Sequence, residues 1–244
     1  MIEAQGLPPS PLRRLSTAEQ VANALREEML RGRIGPGEPL REQSIAASLG
    51  VSRNTFREAM VILRAEGLIN HTLHRGIRVA ELDEDQVSDL AQARFALEVA
   101  GIWLGQQTGR DTDRLPWIVR LTKATSEMRS APGMDELLDA DLQFHKTLTE
   151  PIDSLRIDRF HWLLQTEVRL IRAWHDRDID RERFCADHES IVAALEKGDV
   201  TRAISQLHDV SRQGRVEIQS AKAGLSNSQP LQIAKKSNWT VVRG

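Results

Sequence analysis

The sequence lacks the cysteines and long apolar segments that mark secreted and membrane proteins. Its 244 residues include one cysteine, Cys185, which cannot form a disulfide within the chain and is typical of a reducing compartment. No window approaches the roughly 18 uncharged apolar residues that a membrane span requires. The first residues contain no apolar segment of the kind found in secretory signal peptides. These absences favour a cytoplasmic protein with no membrane partner.

Charge is distributed unevenly along the chain, although the net charge is only −2. Residues 1–80 contain 11 Arg, no Lys and 8 acidic residues, which gives a net charge of +3. Residues 81–244 contain 22 basic and 27 acidic residues, which gives −5. The chain length predicts two domains, and a basic first module is typical of nucleic-acid binding. Arginine in particular suits bidentate contacts with guanine and phosphate.

Local signals in the N-terminal third predict three helices and a hairpin. Residues 1–15 contain three prolines and two adjacent arginines, which indicates a flexible basic arm. Helical spacing of apolar residues and Gly or Pro breaks define the helices, and two β-prone runs around a Gly-containing loop define the hairpin, or wing. The predicted helices are 17–32, 42–49 and 53–66. The predicted strands are 68–70 and 77–79.

The stretch from Ile45 to Ala59 has the layout of a helix, a short turn with glycine, and a second helix. Ser52 is placed as the N-cap of the second helix because its hydroxyl can accept from a first-turn N–H. In such a motif the N-terminal residues of the second helix meet base edges in the major groove. On the helical wheel, one side packs and the opposite side carries Asn54 and Arg57, with Arg53 at the edge. The residues of the packed side are Phe56, Met60 and Leu63.

Three segments together resemble the DNA-binding domain of GntR-type bacterial regulators over roughly residues 16–80. The segments are Arg31–Leu40, Gly50–Ala59 and Leu63–Ile69. A polar face on an arbitrary helix is more often solvated surface, but this ordered series favours DNA contact. Many relatives carry an Arg where this chain has Gln43, so Arg41 is a candidate to supply that contact. With Thr55 of the same first turn, the predicted DNA-binding residues are Arg41, Ser52, Arg53, Asn54, Thr55, Arg57, Arg75 and Gly76.

The remainder of the chain, residues 81–223, predicts an antiparallel all-α bundle, which the resemblance given below implies is an effector-binding and dimerisation domain. No strand signal occurs there, and apolar residues recur with a period of about 3.6. The breaks fall at Gly109, Pro132-Gly133, Pro151, Asp176 and Gly198-Asp199. The polar tail, 224–244, is predicted to be disordered. The predicted helices are 85–107, 112–129, 134–149, 152–175, 178–196 and 200–222.

Asp141 and His145 lie at positions i and i+4 of one predicted helix, which is a workable geometry for Zn²⁺ or a similar cation. His188 begins another helical run. On spacing alone, an Asp-x-x-x-His pair more often has a structural polar role than a metal.

Segments around Arg94–Glu98, Asp141–His145 and His188–Asp199 resemble the all-helical effector domain, of FCD type, of the FadR-like subfamily. The resemblance implies a divalent metal, such as Zn or Ni, held by one Asp and three His, with a small carboxylate effector beside it. Asp141, His145 and His188 match three ligands, but Val210 occupies the fourth position. His208 and Asp209 point elsewhere, being rotated by about 160° and 100° around the helix. Either a three-ligand site or a metal-free site is therefore expected.

Arg94 is the candidate for binding the carboxylate of the effector, by analogy and because its guanidinium offers a fork of donors. The alternative is a pair with Glu98 at i, i+4 on the helix surface.

The expected function is a homodimeric transcription regulator, most simply a repressor, that binds an inverted-repeat DNA operator and responds to a small organic acid. One alternative is a regulator whose effector is the metal ion itself. Another is a metal-dependent hydrolase using Asp141, His145 and His188, against which stands the lack of an obvious general base or nucleophile motif.

Overall fold

The computed structural model describes residues 15–73, 75–107, 111–175 and 179–226. Residues 1–14 of the predicted arm, residues 227–244 of the predicted tail, and the predicted breaks at Gly109 and Asp176 lie outside the described residues. The described chain is mainly α-helical with one small sheet, as the sequence predicts. The helices are α1 (Thr17–Leu30), α2 (Glu42–Leu49), α3 (Arg53–Ala65), α4 (Glu84–Gln107), α5 (Asp111–Ser130), α6 (Met134–Thr149), α7 (Leu155–His175), α8 (Arg181–Glu196) and α9 (Val200–Ser226). The strands are β1 (Ile69–Thr72) and β2 (Gly76–Val79).

Side-chain caps explain where several helices begin. Before α1, the Ser16 hydroxyl accepts from the Glu19 amide at 3.1 Å, and the Glu19 carboxylate accepts from the Ser16 amide at 2.7 Å, which is a capping box. Helix α8 begins at Arg181 rather than near 178 because Asp180 caps it. Helix α7 begins at Leu155 rather than 152, since a 3₁₀ turn over Glu150–Ile152 and a left-handed Asp153 intervene.

Helices α1–α3 and the β1–β2 hairpin form a winged helix-turn-helix. The two strands pair antiparallel, with Ile69 opposite Val79. Buried residues of α1 and α3, such as Leu25 and Phe56, form the centre of one apolar cluster. The same cluster also contains residues of α7, among them Leu164 and Val168. The DNA-binding fold therefore shares a core with a helix of the C-terminal bundle.

Helices α4–α9 pack as a bundle around a second apolar cluster that includes Trp117 and Phe144. The Trp117 indole donates to the carbonyl oxygen of Thr147 at 2.7 Å, so its one polar group is satisfied. A Cβ at Gly101 would lie 2.9 Å from the carbonyl carbon of Leu148, so α4 and α6 approach at a distance that requires glycine. This approach brings the charged side chains of α4 against α6. No helix in the described ranges is long and apolar enough to cross a membrane.

Candidate DNA-contacting surface and buried charged cluster

The turn between α2 and α3 presents the first turn of α3 to solvent. Gly50 ends α2 in the left-handed conformation, with φ +64°, and Ser52 caps α3 by accepting from the Thr55 amide at 3.0 Å. The side of α3 predicted to pack is buried in the apolar cluster, including Phe56 and Leu63. The opposite side is therefore held outward by the packing of its own helix.

The predicted base-reading side chains Arg53, Asn54 and Arg57 are all exposed. Arg57 is 68% exposed, and its Nε lies 3.2 Å from the Glu42 carboxylate of α2. The Asn54 amide donates to the Glu58 carboxylate at 2.8 Å. Neither carboxylate was predicted from the sequence, although the Asn54–Glu58 spacing of four residues is a local signal.

The other predicted DNA-binding residues lie around this turn and on the wing. Arg41 is exposed at the start of α2, whereas Thr55 is half-buried. Arg75 and Gly76 are exposed where the wing turns into β2. The set therefore surrounds one face of the winged helix-turn-helix, and its contacts with DNA remain a prediction.

Asp141 and His145 of α6 meet His188 of α8 in the interior of the bundle, and all three are fully buried. The Asp141 carboxylate oxygen lies 3.3 Å from His145 Nε2 and 3.1 Å from His188 Nε2. The two Nε2 atoms are 3.4 Å apart. Zinc–nitrogen bonds of about 2.0–2.1 Å in a tetrahedral site place ligand atoms about 3.3–3.4 Å from one another. The three atoms are therefore spaced as one face of such a site.

Hydrogen bonds on the far sides of the His145 and His188 imidazoles favour their use as metal ligands. His188 Nδ1 donates to the Phe184 carbonyl oxygen at 2.7 Å, which directs an Nε2 lone pair toward Asp141. His145 Nδ1 lies 3.0 Å from the Glu98 carboxylate. Three acceptor atoms converging on one point require a cation there, either a proton or a metal ion. Consistent with a proton, the pKa of His145 is raised, because Glu98 and Asp141 outweigh burial and the Arg94 charge.

Arginines compensate the two buried carboxylates. Burial alone would raise the pKa of Glu98, but His145 and Arg94 hold it well below its usual value. Burial would likewise raise the pKa of Asp141, and Arg172 is the main group that lowers it. Both carboxylates are therefore ionised in a nearly dry interior, where an uncompensated charge is costly.

Helix α7 supplies a row of buried polar side chains that the sequence reasoning missed. The row comprises His161, Gln165, Arg169 and Arg172. His161 Nε2 lies 3.5 Å from the Glu98 carboxylate, and the Gln165 side-chain oxygen accepts from Arg94 Nη1 at 3.5 Å. Their spacing of three and four residues was visible in the sequence as one helix face. Such a polar face normally indicates solvated surface, whereas here it lines the charged cluster.

Comparison with known proteins identifies both halves of the chain. Residues 17–79 match the family described as bacterial regulatory proteins, gntR family, and residues 89–210 match the FCD domain. The chain belongs to the gntR family of bacterial regulatory proteins and carries an FCD domain. Its relatives are transcription regulators, so the hydrolase alternative is set aside.

Individual relatives cover more than three quarters of this GntR chain. It is 31% identical to the "Probable D-xylose utilization operon transcriptional repressor" of Paenarthrobacter nicotinovorans, over 77% of this chain and 82% of that one. It is 30% identical to the gluconate operon transcriptional repressor of Bacillus licheniformis, over 84% and 87% of the two chains. The crystal structure of a GntR transcriptional regulator from Rhodococcus sp. RHA1 superposes with a TM-score of 0.71 at 29% identity, covering 85% of this chain and 99% of that one.

Arg94 is not on the surface of the FCD domain, as one of the two expectations for it required. Arg94 and Glu98 do pair at i, i+4, with Nε 3.3 Å from the carboxylate. However, their side chains are only 5% and 1% exposed. The expectation of a helix-surface pair is wrong, because α6 and α7 cover this face of α4. Arg94 instead lies in the charged cluster beside His145, and its role in effector binding stays a prediction.

Helix α9 contributes no ligand to the FCD cluster among the described side chains. Val210 is buried in the apolar cluster. His208 is exposed and stacks edge-on against Phe95, with ring centroids 5.5 Å apart. Asp209 is also exposed. The donor set therefore fits a metal through three residues, Asp141, His145 and His188.

Proposed function

We propose that this GntR protein is a dimeric transcriptional repressor that releases its operator when a small organic acid binds the FCD domain. In the dimer, two α3 helices read the halves of an inverted repeat. Arg and Asn side chains pair with base edges, while wing and arm contact phosphates. The relatives named as repressors of the gluconate and D-xylose utilization operons support the direction of control. The relative named as the gluconate operon transcriptional repressor supports an organic acid as the effector class.

The observation that carries this proposal is the position of α7 between the two folds. One side of α7 lines the charged cluster through His161 and Gln165. Leu164 and Val168, at i+3 and i+7 from His161 and so on the same face of α7, belong to the apolar cluster of the winged helix-turn-helix. A ligand that repositions α7 therefore changes the packing between α7 and the winged helix-turn-helix. Allosteric coupling requires such a difference in contacts between the two states.

Two polar contacts strengthen the packing between α7 and the winged helix-turn-helix. The Arg26 guanidinium of α1 lies 5.9 Å from the centroid of the Trp162 ring on α7, within the range of a cation–π interaction. Arg26 also pairs with Glu66, at the end of α3, through two hydrogen bonds of 2.5 and 2.7 Å. The contact between α7 and the winged helix-turn-helix is therefore both apolar and specific in geometry.

Dimerisation is supported by an exposed apolar groove along α5. Leu115 and Val119 are both exposed there, and the groove they help to line has a volume of about 730 Å³. Exposed apolar surface of this kind commonly marks an interface between proteins.

The proposed function is tested by selecting genomic fragments with the purified full-length protein and sequencing what is bound. We expect enrichment of one short inverted repeat, and release of that fragment by at least one acid from a panel of small organic acids. Coupling between such sites is typically about 5- to 150-fold in affinity. A protein that selects no defined sequence contradicts DNA regulation, and a protein that no acid releases contradicts the effector class.

A second candidate, a regulator that responds to the metal ion, is favoured by the spacing of Asp141, His145 and His188. A bound divalent ion would supply positive charge and open coordination positions at this point. Glu98 would orient His145 from its far side, as carboxylates commonly do for metal-binding imidazoles.

Replacing Val210 with histidine tests this metal site. We expect Val210→His to retain Zn²⁺ or Ni²⁺ at least about 10-fold more strongly, because outer-shell changes alone alter metal affinity by about 10- to 100-fold. Metal content by mass spectrometry after dialysis against graded chelator measures the effect. Asp209→His is the matched control, since it adds an imidazole to the exposed side of the same turn. Equal metal retention in the two variants contradicts the placement of α9 at the site.

A further inference from the structure

We infer that Glu58 is a positioning residue that makes Asn54 specific for adenine when α3 lies in the major groove. Glu58 has this role only if α3 reads base pairs, so the inference rests on the proposed function. The Asn54 side-chain amide donates to the Glu58 carboxylate at 2.8 Å. Both side chains are exposed and lie one turn apart on α3. The pair therefore belongs to the helix that carries the predicted base-reading residues.

The Glu58 carboxylate determines which way the Asn54 amide faces. A carboxylate accepts hydrogen bonds, so the nitrogen of the amide, and not its oxygen, must lie toward Glu58. The opposite orientation would bring the amide oxygen against a carboxylate oxygen, and the two would repel each other. The backbone of Asn54 is fixed as well, because Ser52 caps α3 by accepting from the Thr55 amide at 3.0 Å. Backbone and side chain of Asn54 are thus both positioned before DNA arrives.

This orientation suits adenine. An Asn side chain has two N–H donors and one acceptor oxygen, and Glu58 takes one of the donors. The second N–H and the oxygen are the pair that contacts N7 and N6 of adenine in the major groove. Without Glu58 the amide can turn over, and it can then donate to the acceptor atoms of guanine and thymine as well. Its preference for adenine should therefore fall.

Arg57 also contacts a carboxylate, but it does not depend on that contact for its orientation. Its Nε lies 3.2 Å from the Glu42 carboxylate of α2. A guanidinium has five N–H donors and no acceptor, so it presents donors whichever way it turns. An amide presents a donor on one side and an acceptor on the other. Asn54 is therefore the residue of this face whose specificity requires a neighbour, and Glu58 on the same helix moves with it into the groove.

Direct reading of a base by Glu58 is the alternative. A carboxylate can accept from N4 of cytosine, in which case Glu58 would discriminate at a G·C pair of its own. The contact of 2.8 Å with Asn54 favours positioning. The two roles differ in the base pair that they affect, since positioning acts at the A·T pair that Asn54 reads.

The test uses the full-length protein and the operator fragment that it selects. Each base pair of the half-sites is changed in turn, and fluorescence anisotropy measures the affinity of the wild type and the variants. We expect Asn54→Ala and Glu58→Ala each to lose discrimination by about 5-fold or more at the same A·T pair. The double variant should lose no more than Asn54→Ala, because Glu58 acts through Asn54. Glu58→Gln should retain the discrimination, since its side-chain oxygen still accepts from Asn54.

Charge is separated from positioning by the same set of variants. Glu58→Ala and Glu58→Gln both remove a negative charge near the DNA, so both should bind scrambled DNA more tightly and to a similar extent. Glu42→Ala, the matched control, removes the neighbouring carboxylate and should keep the discrimination at the A·T pair. Full discrimination in Glu58→Ala, a loss at a G·C pair instead, or an equal loss in Glu42→Ala overturns the inference and leaves the proposed function standing. A protein that selects no defined fragment overturns both.

Discussion

Arg57→Ala is expected to reduce specific operator affinity about 30-fold or more while leaving helicity and dimerisation intact. One bidentate contact between Arg and guanine contributes about 1–3 kcal/mol of discrimination, and a dimer loses two such contacts. In the free protein Arg57 pairs with Glu42, but a pair this exposed contributes only about 0–1 kcal/mol. Arg57 can therefore leave Glu42 and contact a DNA base at little cost in free energy. Electrophoretic mobility shift with the selected fragment and with scrambled DNA measures both affinity and specificity.

Arg64→Ala is the matched control for Arg57→Ala. Arg64 is also exposed on α3, and it lies seven residues further along, on nearly the same side of the helix and about 10 Å from Arg57. It removes the same charge without touching the first turn. A general electrostatic effect would weaken binding to both DNAs in both variants, mainly through the salt dependence. Unchanged specificity in Arg57→Ala would mean that α3 does not read bases through this turn.

The elements that sequence predicts well are those fixed by neighbours along the chain. Ser16 and Ser52 cap the helices that follow them within three residues. Gly50 ends α2 because a left-handed residue is required there. Apolar spacing in α3 fixes which side is buried, and so which side carries Arg57. The exposed position of Arg53, Asn54 and Arg57 could therefore be predicted, whereas the neighbouring carboxylates of Glu42 and Glu58 were not.

The buried cluster could be predicted only where its residues share a helix. Asp141 and His145 lie one turn apart on α6, so their proximity follows from helix geometry. Glu98 and His161 come from α4 and α7, and they meet His145 only because Gly101 allows α4 to pack closely on α6. Helix packing at such sequence separation has no local signal. For the same reason Arg94 was assigned either to an effector or to the surface, and its burial could not be foreseen.

Charge balance connects the two proposed uses of this cluster, as a metal site and as an acid-binding site. Glu98 and Asp141 are ionised beside Arg94 and Arg172, and the raised pKa of His145 favours a proton on its imidazole. A metal bound between Asp141 and the imidazoles would displace that proton, whereas an acid bound at Arg94 would favour keeping positive charge in the cluster. If the proposed function is correct, metal and acid would influence one another through the shared charges, and either could act on α7.

The second large effect, on release of the operator by acid, is expected where the winged helix-turn-helix contacts α7. Gly67 lies at this contact, after the end of α3. Gly67 has a φ of +75°, and a Cβ there would lie 2.6 Å from the Glu167 carboxylate of α7. Burial raises the pKa of Glu167, which marks a carboxylate partly enclosed by this contact. Gly67→Ala should therefore displace the Glu167 side chain and, with the strain at this positive φ, loosen the contact between the winged helix-turn-helix and α7. We expect the ratio of operator affinities with and without the releasing acid to fall from about 5- to 150-fold to near unity.

Two further variants assign this loss to the contact rather than to backbone strain. Gly50→Ala imposes a similar left-handed strain of about 1–2 kcal/mol, but nothing lies within 4 Å of its Cβ position, so its affinity ratio should be retained. Glu167→Ala makes room for the new methyl group, so the double variant Gly67→Ala/Glu167→Ala should recover much of the ratio. Fluorescence anisotropy on the selected fragment measures all four proteins. A full ratio in Gly67→Ala, or an equal loss in Gly50→Ala, would mean that the acid acts on DNA binding by a route other than α7.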